Sequence, residues 1–61
     1  MSKETAIAEA TKIANKDNIT MVVTFNAYAE YEEDQFGYYP AVAFPVVEKF
    51  EEVIQTIRPQ G

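Results

Sequence analysis

The sequence predicts an α+β fold in which an N-terminal helix packs on a small antiparallel β-sheet. Three observations point to it. An alanine-rich opening places apolar residues at helical spacing; the next stretch alternates apolar and polar residues strictly; and a segment marked by glycine and proline reads as the return strand of a hairpin.

The helix begins at Ser2, a residue whose hydroxyl can accept a bond from one of the orphan N–H groups of a first turn. From Lys3 to Ala14, the residues Ile7, Ala10, Ile13 and Ala14 form a narrow stripe, small enough to let a helix axis sit close to a sheet. Asn15 to Asn18 supply the stop.

From Ile19 the period changes to two. Ile19, Met21, Val23, Phe25, Ala27 and Ala29 fall on one face, and Thr20, Val22, Thr24, Asn26, Tyr28 and Glu30 on the other, the pattern of a half-buried strand. The polar cluster Glu32 to Gln35, with Gly37 behind it, marks a turn, and Tyr38 to Phe44 reads as a second strand. Pro40 has no N–H to give to a ladder, which places that strand at a sheet edge, and Pro45 ends it.

Two readings stand for the C-terminal segment. Val46, Val47, Phe50, Val53, Ile54 and Ile57 match an amphipathic helix that turns Glu48, Lys49, Glu51 and Glu52 to water. Against it, Val53, Ile54, Thr56 and Ile57 are β-branched, and a lone two-stranded hairpin is marginal in water. The second reading, which the residues favour slightly, is a helical turn near 46–51 followed by a third strand near 52–58. Either way the Ile and Ala helix covers the odd face of the hairpin, and Phe44 with Val46 or Val47 closes the core.

Sixty-one residues, 48% apolar and 25% charged, are expected to form one folded domain, 1–61, near the lower size limit for independent folding. No cysteine is present to staple it or to bind zinc. Met1 to Ala10 lacks the pattern of a secretory leader and no apolar run approaches a bilayer span, so the expected location is the cytoplasm.

The net charge of −5 repels phosphate backbones and anionic lipid alike, which argues against direct nucleic-acid or membrane binding. It is also uneven. Residues 30–52 hold seven acids (Glu30, Glu32, Glu33, Asp34, Glu48, Glu51 and Glu52) against one base, Lys49, while the rest of the chain is slightly basic.

Histidine and cysteine are both absent, so no serine or threonine has a conventional activating base. Lys3, Lys12 and Lys16 lie on the polar side of the helix, and Lys49 is flanked by Glu48 and Glu51, so none is set up as a buried base. Paired carboxylates for glycosidic chemistry need a cleft that a domain of this size does not offer. The segment Glu30 to Gly37 lacks the alternating ligands of a calcium loop. The expectation is a protein that is not an enzyme and has no cofactor or metal.

What remains is a surface of acids and tyrosines: Tyr28, Glu30, Tyr31, Glu32, Glu33, Asp34, Tyr38 and Tyr39, holding all four tyrosines of the chain. Tyrosine gives large rigid contact area with a polar tip and recurs at interface hot spots. In the plain reading, Tyr31 and Tyr39 pack on the helix, Tyr28 and Tyr38 pair across strands, and the acids merely solubilise a hairpin tip. In the sharper one, Glu30 and Glu32 stand about 7 Å apart on one face of a strand and present a row of negative charge to a basic groove.

In overall character, tiny, acidic, free of cysteine and of catalytic residues, the chain resembles small phage-encoded inhibitors of host defence, the anti-CRISPR and anti-restriction proteins that imitate DNA. The resemblance is one of size and composition, without a shared motif, and carries no residue roles over. It implies an inhibitor that occupies the basic, nucleic-acid-binding surface of a protein partner, in a host cytoplasm if phage-encoded. The alternative is a general interaction or structural module, monomeric or homodimeric, docking through its edge strand near Pro40 or the apolar side of Val46 to Ile57.

Overall fold

The computed structural model describes residues 1–46 and 51–60, and side chains up to Ala43 and from Glu51 onward. A helix, α1 (Lys3–Asp17), is followed by three strands, β1 (Met21–Asn26), β2 (Phe36–Pro40) and β3 (Glu51–Ile57). Two 3-10 turns intervene, Glu32–Asp34 before β2 and Ala41–Val46 after it. The strands form one antiparallel sheet in the order β2-β1-β3, so the strongest alternating segment of the sequence is its centre.

α1 begins as the sequence predicts. Ser2 is extended, its Oγ accepts the Thr5 N–H at 3.1 Å and its carbonyl accepts the Ala6 N–H at 3.0 Å. The helix runs three residues past Ala14 and stops at Asn18. That residue adopts the left-handed conformation (φ 53°) that asparagine tolerates better than most side chains.

Ala6, Ala10 and Ala14 are its fully buried residues, with Ile7 and Ile13 half-buried at the flanks. The stripe is therefore centred one position earlier than Ile7. Small side chains let the helix rest directly on Met21 and Val23 of β1, and Phe36, Tyr38 and Ile57 pack around that seam.

β1 is shorter than the alternating run from Ile19. Beyond Asn26 the chain turns, the Asn26 Oδ1 accepting the Tyr28 N–H at 2.9 Å, a local bond that competes with strand pairing. Nor is β1 half-buried. Val22 and Thr24, on the face away from α1, are buried as well, because Tyr39 lies over Thr24 and the Ala41–Val46 turn folds back against β1.

β2 starts two residues earlier than Tyr38, taking in Gly37, and ends at Pro40 rather than Phe44. Its register explains the stop. Met21 pairs with Pro40 and the Ala41 N–H donates to the Thr20 carbonyl at 2.9 Å, so Val42 and Ala43 would fall opposite Ile19 and the helix-ending Asn18. No strand is left for them to pair with, and the chain winds into a 3-10 turn. β2 is an edge strand, as Pro40 requires.

The C-terminal segment is a strand over 51–57, which overturns the helical reading there. A helical turn does precede it, but at Ala41–Val46; the expected turn at 46–51 lies largely outside the described residues, as does closure of the core by Phe44, Val46 or Val47. β3 carries one irregularity: Val23 pairs with Gln55 and Thr24 with Val53, leaving Ile54 as an extra, bulged residue. The chain after β3 is held, the Gln60 N–H donating to Asn15 Oδ1 at 2.9 Å near the end of α1.

Candidate acidic surface

β1 ends at Asn26 and β2 begins at Phe36, and between them the chain makes a nine-residue excursion held by its own backbone. The Asn26 N–H donates to the Gln35 carbonyl at 2.7 Å and the Asp34 N–H to the Tyr31 carbonyl at 3.0 Å. Phe25 and Phe36 close its base, with ring centroids 5.1 Å apart and planes tilted by 48°.

On this excursion Glu30, Tyr31, Glu32, Glu33 and Asp34 are all exposed, and so is Tyr28. Tyr28 is 81% and Tyr31 58% accessible, high values for aromatic side chains. Glu30 and Glu32 are not two residues of a strand, however. Glu32 opens a 3-10 turn, so the extended row of evenly spaced charges expected from the sequence is replaced by a compact acidic knuckle.

Tyr38 and Tyr39 do not join it. They point to opposite faces of β2: Tyr38 packs toward α1, and Tyr39 lies on the far face. This also corrects the plain reading of the tyrosines, since Tyr38 rather than Tyr39 or Tyr31 meets the helix side, and Tyr28 and Tyr31 stand in solvent.

Register adds what sequence reasoning missed. Glu51 pairs with Asn26 and Glu52 with Phe25, so the start of β3 lies at the same end of the sheet as the acidic excursion. No sequence signal sets that register, because the Ile54 bulge interrupts the alternation by which it would be read. The beginning of α1 is at this end too: the Met1 ammonium donates to the Glu33 backbone carbonyl. The N-terminal end of α1 and the acidic excursion are therefore neighbours. Lys12, Lys16 and Arg58 lie toward the other end with Asp17, where α1 and β3 finish.

Glu51 has a second role. The Tyr39 hydroxyl reaches across β1 and donates to its Oε1 at 3.1 Å, while its Oε2 is buried with no hydrogen-bond partner among the described residues, as is Thr24 Oγ1. A Cβ placed on Gly37 would lie 3.6 Å from Thr24 Oγ1 and 3.8 Å from the Tyr39 Oη, which shows how closely these groups gather over Gly37. Tyr39→Phe is expected to lower stability by about 1–3 kcal/mol, because a partly buried carboxylate loses a donor. Urea denaturation measures it, and a loss under about 0.5 kcal/mol would mean that water serves Glu51 equally well.

Among the described residues there is no enclosed pocket and no group of three or more acids placed to hold a metal ion. No described helix is long and apolar enough to cross a membrane. The fold and this surface define a small α+β protein with carboxylates concentrated at one end of a three-stranded sheet. Compared with protein-family models, curated proteins and solved structures, the chain matches none of them.

Proposed function

We propose that the protein is a small acidic binding protein that inhibits a nucleic-acid-binding partner by occupying its basic surface, in the manner of anti-CRISPR or DNA-mimicking phage proteins. It does so without catalysis or cofactor, in the cytoplasm, which is that of the host if the protein is phage-encoded. The observation that supports this reading is the gathering of Glu30, Glu32, Glu33, Asp34, Glu51 and Glu52 at one end of the sheet, from two segments distant in sequence.

Carboxylates grouped in this way steer a cationic surface toward contact and make association fast and salt-dependent. Tyr28 and Tyr31 add rigid aromatic area beside them, suited to stacking on the guanidinium groups of a basic groove. Tyr38 and Tyr39 serve from behind, by packing β2 onto the helix and across the far face.

The test is capture of partners from bacterial lysate on the immobilised chain. The expected result is a basic nucleic-acid-binding protein retained at about 50 mM salt, released by about 500 mM, and unable to bind its nucleic acid while held. Retention that persists unchanged at the higher salt overturns the electrostatic reading.

A further inference from the structure

We propose that β3 is a self-association edge. Two copies of this chain pair antiparallel along Glu51–Ile57, about a two-fold axis between Ile54 and Gln55, which sets Glu51 of each copy opposite Arg58 of the other. This goes beyond the proposed inhibition: it shares Glu51 and Glu52 with the acidic end but uses no residue of the excursion.

The sheet has two edges, and they are not equivalent. β2 ends at Pro40, which offers no N–H. β3 has a seven-residue span with no strand paired to its outer side among the described residues, and α1 lies over β1 and β2 more than over it. Gln55 and Thr56 are exposed, and Ile54 is 37% accessible, an apolar side chain at the middle of an open edge. Such an edge is a template for another strand.

Charge selects a second copy as that strand. β3 starts with Glu51 and Glu52 at the acidic end and is followed by Arg58 at the end that holds Lys16. An antiparallel partner of the same sequence places the acidic end of each copy beside the basic end of the other, twice in one interface. Opposite charges across strands stabilise pairing and like charges oppose it. A parallel arrangement would set like beside like.

The bulge then selects the register. In a regular strand, alternate residues point their N–H and C=O groups to one side, so symmetrical self-pairing needs the two-fold axis on a residue. The extra residue at Ile54 shifts that alternation by one between the two halves of β3. The axis therefore falls beside Ile54, and we place it between Ile54 and Gln55. It puts Glu51 opposite Arg58, Glu52 opposite Ile57, Val53 opposite Thr56 and Ile54 opposite Gln55. The shift admits an axis on either side of Ile54, and the opposition of Glu51 to Arg58 chooses the side between Ile54 and Gln55.

Sedimentation equilibrium across a concentration series up to about 200 μM tests this with the full chain, Ile54→Lys and Arg58→Glu. The expected results are a dimer for the parent, a monomer with an unchanged helical circular-dichroism spectrum for Ile54→Lys, and dissociation roughly tenfold easier for Arg58→Glu. Should Ile54→Lys fail to fold, Arg58→Glu decides alone, since its side chain is exposed. A parent that stays monomeric throughout, or a dimer indifferent to Arg58→Glu, overturns the proposal.

Discussion

Replacing Glu30, Glu32 and Glu33 by Gln and Asp34 by Asn in one variant is expected to leave the fold intact and to weaken partner binding by about 100-fold at low salt. All four side chains are exposed, and the hydrogen bonds that shape the excursion join backbone groups to one another or to the Asn26 Oδ1, not to these carboxylates. Exposed substitutions of this kind usually change stability by less than about 0.5 kcal/mol each. The amides keep the volume and polarity of the acids and remove only charge. Loss of affinity would therefore report on charge rather than shape.

Binding of parent and variant is best compared at two ionic strengths by titration calorimetry with the captured partner. The parent should lose affinity steeply with salt and the variant much less, because only Glu51 and Glu52 of the acidic end are left to screen. A variant that binds and inhibits as well as the parent would reduce the acidic end to a solubilising surface.

Local chemistry was legible in the sequence where a single segment decides its own structure. Ser2 caps α1, the alternation around Met21 to Phe25 becomes the central strand, and Pro40 stands at a sheet edge, each for a reason contained within a few residues. The exposed knuckle of Glu30 to Asp34 with Tyr28 and Tyr31 belongs to the same class, since a dense run of acids has nowhere to go but water.

What the sequence does not carry is the outcome of pairing between distant segments. The extent of β2 is decided by where β1 begins, and β1 begins where Asn18 ends the helix. The apolar spacing from Val46 to Ile57 fits a helix, but β1 has an open side, and the β-branched residues of 53–57 fill it as a strand. That same pairing carries Glu51 and Glu52 to the acidic end and leaves Tyr38 and Tyr39 on opposite faces. Candidate residues adjacent in sequence were thus separated, and acids far apart in sequence were brought to one place.

Met21→Ala is expected to cost about 2–5 kcal/mol of stability, a large share of the roughly 3–9 kcal/mol that a chain of this length possesses. The reason is how little else fills the core among the described residues. The fully buried residues of α1 are three alanines, and the largest fully buried side chains among the described residues are Met21, Val23 and Thr24. Met21 sits where Ile57 and Pro40 pair on either side, at 2% exposure, so truncating it opens a cavity beneath a helix whose fully buried residues are all alanines.

Alanine at Val42, 92% exposed on the 3-10 turn, provides the control and should shift stability by less than about 0.5 kcal/mol. Urea denaturation followed by far-ultraviolet circular dichroism, at one protein concentration so that self-association contributes equally, separates the two. Near-equal midpoints would place the stabilising core somewhere other than the seam between α1 and β1. A Met21→Ala variant unfolded without denaturant would show that this seam holds nearly all the stability of the fold, and with it the rigid base from which the acidic end projects.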